Sequence, residues 1–158
     1  MFSIFHAPRK YPEHYAPYYE RFNFYEGREV WLQSIEDIPT KAVNLFAVHW
    51  LHHEIYNGEF WQYFYNSTCV SFPEATIGFQ AIGMSEVASL IEKAAALVGD
   101  PFPFDTDERR LIVGEPSDRM DFGELTDRFY ALADTDKVFR RQPKFVQFAD
   151  AYAMSNSV

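Results

Sequence analysis

His49 and His53, with Glu54 directly after the second histidine, are the side chains of this 158-residue chain whose types and spacing most suggest chemistry. Two histidines at i and i+4 share one face of a helix, the arrangement that helical zinc sites use. The metalloprotease version also needs a glutamate immediately after the first histidine, and Trp50 stands there instead. Glu54 is rotated by about 100° from His53, off the face that the histidines share. A third ligand would have to come from elsewhere, and the sequence offers no further His or Cys cluster. Cys69 is the only cysteine, so neither an internal disulfide nor a Cys-based metal site can be assembled. Partly exposed histidines beside a core stripe are the preferred reading, and no metal or other cofactor is assigned.

Glu54 also opens the run Glu54-Ile55-Tyr56-Asn57-Gly58-Glu59-Phe60-Trp61-Gln62-Tyr63-Phe64. A core-facing carboxylate there could be a general base with a raised pKa. It could equally be a structural pin, accepting backbone N–H bonds from the segment after the glycine, which would lower its pKa. Asn57 and Gln62 are placed to complete such a network, and the pin is the favoured reading. Ser67, Thr68 and Cys69 have no neighbouring histidine to activate them. Phosphate-binding glycine loops, a Walker-type lysine and a dinucleotide fingerprint are all missing. No catalytic residue is therefore assigned, and the chain reads as a non-enzyme. An enzyme or metal-binding protein centred on His49, His53 and Glu54 is the alternative.

The element that must position these groups is a helix expected over residues 40–56. Val43, Phe46, Ala47, Trp50, Leu51 and Ile55 recur at helical spacing and make one apolar stripe. Glu54 projects into the middle of that stripe, and His52 points to the opposite side. Gly58 is expected to end the helix as a left-handed residue, with a short aromatic helix over residues 60–65 after it. Upstream, residues 1–26 hold nine aromatics with Pro8, Pro12 and Pro17 among them, which reads as an extended or turn-rich arm packed on a helical body, residues 27–158. Further helices are expected over residues 27–36, 73–83, 85–98, a short stretch capped by Thr106, 122–133, and around Phe145 to Tyr152. No strand alternation competes. The expectation is an all-α, single compact domain of seven or eight helices.

Apolar residues make up 47% of the chain and aromatics 18%, enough for a core built from large rings. The net charge is −9 and unevenly placed: residues 100–136 hold 11 acids and 4 bases, whereas the last 22 residues hold 1 acid and 4 bases. Such a field repels nucleic acid and anionic membranes and attracts basic partners. Asp105, Asp107, Glu108, Glu115, Asp118, Asp121, Glu124 and Asp127 lie on two loops and the helix starts beside them. Some would stabilise helix N-termini. As a set they could present a negative surface to a basic protein face; plain solubility is the competing reading. The N-terminus is too short and too weakly apolar for a signal peptide and no run approaches a membrane span, so a soluble, cytoplasmic protein is expected.

Leu51-x-x-Glu54-Ile55-x-Asn57-Gly58-x-Phe60-x-Gln62-Tyr63-Phe64-x-Asn66-Ser67, followed by Ala75 and Ala81-Ile82-Gly83, resembles the core motif of small bacterial DNA-mimic proteins, a group otherwise catalogued as a domain of unknown function. Leu125-Thr126-Asp127-Arg128-Phe129-Tyr130 resembles its second block. The resemblance implies an all-α fold and, in the studied member, an acidic dimer that occupies the DNA-binding face of a transcription factor. This chain departs from it at Gly58-Glu59, where the family usually has Gly-Gly; a positive φ at the second position would strain Glu59. The motif residues Glu54, Asn57, Gly58, Phe60 and Gln62 look like fold determinants, so mimicry would depend on acids outside the motif. The resulting reading is a non-enzymatic acidic binding protein acting as a DNA mimic on the basic face of a DNA-binding protein. It would bind neither nucleic acid nor membrane directly, with a homodimer left open. An immunity-type inhibitor of a basic toxin is a second reading of the same class.

Overall fold

The apolar stripe around Val43 and Ile55 does form a helix, and that helix is the axis about which the rest is arranged. The structure is a computed structural model that describes residues 9–134 and 143–156. The first eight residues of the expected arm, Asp136 of the acidic segment, and Lys137, Arg140 and Arg141 of the basic tail lie outside the described residues. Eight α-helices and no strand are found among the described residues: α1 (Pro12–Tyr15), α2 (Arg28–Ile35), α3 (Thr40–Tyr65), α4 (Phe72–Ala81), α5 (Ser85–Val98), α6 (Thr106–Val113), α7 (Gly123–Ala133) and α8 (Lys144–Met154). None of them is long and apolar enough to cross a membrane.

Helix α3 touches α1, α4, α6, α7 and α8, so it is enclosed on more than one side. This corrects the expectation for His52. Instead of facing away from the core, its ring is 6% exposed. Phe145 of α8 stacks on it at 3.9 Å between centroids, and Asp134 takes its Nε2 at 2.7 Å. A single apolar stripe describes a helix with one covered face; α3 has two, and the second is lined partly with polar side chains that find partners.

The N-terminal segment, expected to be an extended or turn-rich arm, holds two short helical pieces. Pro12 stands in the first turn of α1, and Pro17 in the first turn of a 3₁₀ helix, Ala16–Arg21. Proline ends a helix but also starts one, because its fixed φ and missing N–H are harmless in the first turn. The rings do pack on the body: Tyr11, Tyr15, Phe22 and Phe24 are buried, and Phe22 stacks on Phe46 at 3.7 Å. Asp150 of α8 fastens the segment by accepting the backbone N–H groups of Lys10 and Tyr11 at 2.9 and 2.8 Å. Arg28 joins α2 to α4 with a two-pronged contact to Glu74 at 2.6 and 2.9 Å.

Helix α4 returns along α3 at close range. A Cβ on Gly78 would lie 2.7 Å from Val48 Cγ1 and 2.8 Å from the Asn44 carbonyl oxygen. The turn into α5 closes with the N–H of Met84 on the carbonyl of Phe79 at 2.8 Å and of Gly83 on Gln80 at 3.0 Å, with Gly83 at φ +91°. That is a Schellman end, in which glycine supplies the left-handed residue. Because backbone stands opposite Gly78, Gly78→Ala should cost about 1–3 kcal/mol, as overpacking does. Urea unfolding checks this: the midpoint should fall with the slope unchanged.

Candidate functional site

Glu54 is 6% exposed, and its carboxylate is fully engaged. Oε2 accepts from Gln62 Nε2 at 2.7 Å and Asn66 Nδ2 at 2.9 Å, and Oε1 from the Thr68 hydroxyl at 2.8 Å. All three donors follow the glycine, as a pin requires, but they are side chains where backbone N–H groups were expected. Asn57 is not among them; its side chain is exposed, and Asn66 and Thr68 take the place assigned to it. A residue three positions after Glu54 sits one turn along the same straight helix, whereas the donors come from beyond the bend, where the chain has turned back.

The bend itself falls one residue later than the sequence pattern indicates. Gly58 has φ −158° and ψ 35°, and the positive φ belongs to Glu59, at φ +64° and ψ −177°. That region is nearly reserved for glycine, so Glu59 places a side chain where it is strained. Gly58 is needed for a different reason: a Cβ there would overlap the Gln62 side chain, its Cβ at 2.7 Å, which Glu54 holds in place. Past the bend Phe60 and Phe64 enter the core against Phe122, and the Phe60 N–H meets Thr126 Oγ1 at 3.4 Å.

The histidines share a separate cleft of about 260 Å³, lined by Arg9, His49, His52, His53, Tyr56 and Pro143. His49 Nδ1 lies 2.7 Å from the Tyr11 hydroxyl. Burial, helped by His53 and Arg9, pushes His49 down to about 4, so it is neutral at pH 7. Glu54 does not line this cleft, and its oxygens are committed to the pin. The set His49, His53 and Glu54 is thus not brought together, and among the described residues no three His, Cys, Asp or Glu side chains are grouped as a metal site. Cys69 is wholly buried, which pushes its thiol up to about 12 and removes it as a nucleophile at neutral pH.

The acidic segment is organised by the residue in it that sequence reasoning passed over. Arg109 of α6 is 0% exposed. Its guanidinium donates to the carbonyls of Phe64 (2.6 Å), Phe104 (2.9 Å), Pro103 (3.2 Å) and Asn66 (3.2 Å). It therefore binds α6 to the end of α3, where helical carbonyls lack intrahelical partners and the dipole favours a cation. The available signal was phase: Arg109 and Val113 stand at i and i+4, and both face inward with 0% exposure.

Around that anchor the acids turn outward. Asp105, in place of Thr106, caps α6 by accepting the Glu108 N–H at 2.9 Å. Asp121 accepts the Gly123 N–H at 2.8 Å where α7 begins, and Glu115 accepts the Tyr65 hydroxyl at 2.9 Å. The loop between α6 and α7 folds back on itself through Met120 N–H to Val113 O at 2.8 Å, and Trp61 Nε1 holds the Gly114 carbonyl at 3.0 Å. Asp105, Asp107, Glu108, Glu115, Asp118, Asp121, Glu124 and Asp127 are all exposed. Among the described residues none of the eight pairs with an arginine or lysine.

The sequence profile of the DMP19-like protein family matches residues 36–154, from just before α3 to the end of α8. No curated protein and no solved structure matches the chain.

Two substitutions separate the strain from the anchor. Glu59→Gly should stabilise the fold by about 1 kcal/mol, relief of the positive φ outweighing glycine's larger unfolded-state entropy; calorimetry would show a higher Tm. Arg109→Met should destabilise by about 3 kcal/mol or more, since several buried carbonyls lose a charged donor together. Hydrogen exchange checks where the damage falls: α6 amides should lose protection before those of α4 and α5.

Proposed function

We propose that this chain, which belongs to the DMP19-like protein family, is a non-enzymatic acidic binding protein that occupies the basic face of a DNA-binding protein in place of DNA. The observation that carries the reading is the sorting of charge between Asp105 and Asp127. Eight carboxylates are exposed and lack a cationic partner among the described residues, while Arg109 is spent in the core and Arg110 lies over the Tyr65 ring at 4.4 Å with its Nε on the Tyr65 carbonyl. The exposed charge of this stretch is more negative than its composition alone implies.

DNA binds proteins chiefly through regularly placed phosphate charge, and affinity falls steeply as salt competes for it. Carboxylates serve the same attraction if they are held outward on a rigid frame, because side chains ordered beforehand lose less entropy on binding. Asp105 and Asp121 are held by backbone N–H groups and Glu115 by Tyr65, which supports that role. Family membership supports it independently.

Fluorescence anisotropy against a basic bacterial DNA-binding protein tests the proposal. Duplex DNA should displace the chain, and log affinity should fall linearly and steeply with log salt. Replacing Asp107, Glu108, Asp118 and Glu124 by their amides should weaken binding by at least about tenfold and flatten the salt slope, with Tm unchanged. Binding that ignores both DNA and salt would sink the reading.

A further inference from the structure

Helix α6 carries two apolar side chains on the same outer face as its acids. Leu111 is 88% exposed and Ile112 43%, whereas Arg109 and Val113 on the inner side are 0% exposed. Helical spacing sets Asp107 one turn before Leu111 and Glu108 one turn before Ile112, and Glu115 follows in the loop just past the end of the helix. A lone exposed leucine is ordinary on a soluble protein. Here two adjacent aliphatic residues sit beside two carboxylates of the same helix, which is fixed to the core by a buried arginine, in the most acidic part of the chain.

The surrounding charge decides what can cover them. A second copy would set carboxylates against carboxylates, and a membrane or nucleic acid would bring more negative charge. A covering surface must carry positive charge around an apolar spot. Faces that read DNA have that make-up, since lysines and arginines surround small apolar contacts that touch thymine methyl groups. We propose that Leu111 and Ile112 are the apolar anchor of the acidic face, seated in an apolar socket on a basic partner where that partner would otherwise take a thymine methyl. The proposal rests on the acidic-face reading above and adds the residues that give the complex affinity when salt has weakened its charges.

Two lysine-rich helical peptides of equal charge provide the probe, one with a leucine stripe and the other with glutamine in its place. The wild-type chain should bind the leucine peptide on the order of tenfold more tightly, from burial of one or two aliphatic side chains. In the double substitution Leu111→Gln and Ile112→Gln that preference should vanish, while affinity for the glutamine peptide and its salt dependence stay as they were. Asp107→Asn with Glu108→Gln should do the converse, lowering both affinities and keeping the preference; equal Tm values establish that all three proteins are folded. A wild type without preference, or a preference that survives loss of Leu111 and Ile112, overturns the anchor. So does sedimentation showing a wild-type dimer that the double substitution turns into a monomer, which would assign the face to a second copy. Failure of the glutamine peptide to bind at low salt would instead bring down the acidic-face reading, and the anchor with it.

Discussion

Two buried charges of opposite sign meet at the end of the central helix, and Asn66 joins them. Its side-chain amide donates to Glu54 at 2.9 Å, and its carbonyl accepts from Arg109 at 3.2 Å. Gln62 and Phe64 extend the same division, one binding the carboxylate and the other the guanidinium. Among the described residues neither charge has an ion-pair partner, so each is compensated by dipoles: side-chain donors around Glu54, carbonyls around Arg109. Dipoles aimed from several elements constrain geometry more tightly than one counter-ion, because every donor and acceptor must be in place or be left buried and unsatisfied. The bend of α3, the return of the chain toward α4 and the seat of α6 are therefore one construction.

That construction explains which parts of the fold were legible in the sequence. Apolar periodicity located α3, α5 and α7 because it reports what faces a core, and of the stripe Val87, Leu90, Ile91, Ala94, Leu97 and Val98 all but Leu97, which is 54% exposed, are buried as the spacing requires. It also put Glu54 in the interior. Periodicity could not say which polar groups would meet Glu54, since those lie past a bend whose direction depends on two backbone angles at Gly58 and Glu59. Asn57 is close in sequence and uninvolved; Asn66 and Thr68 are farther along and in contact. Arg109 was hidden for a related reason. A buried arginine looks like any other base until the carbonyls that receive it are positioned, and these come from two separate stretches of the chain.

The strain at Glu59 shows the same interior order reaching the surface. The Glu59 carboxylate lies 3.5 Å from Arg119, whose guanidinium stands 5.5 Å from the Trp61 ring centre. An exposed pair of this kind contributes little stability. Its effect is on charge placement: Arg119 is drawn toward Glu59 and Trp61, as Arg110 is drawn to Tyr65. Three of the four arginines between Asp100 and Asp136 are thereby engaged by neighbours outside the eight acids.

Helix α6 then divides its labour by face. Its inner residues, Arg109 and Val113, answer to α3 and are tied to the motif through Phe64 and Asn66. Its outer side chains, Asp107, Glu108, Leu111 and Ile112, are exposed. A buried cation solvated by carbonyls is no route to maximal stability, since desolvating it costs as much as many of its contacts return. What it secures is a fixed position for a short helix that could not hold its own place by apolar burial alone. The inner residues accordingly fix the scaffold, and on the acidic-face reading proposed above it is the side chains turned outward that a partner meets.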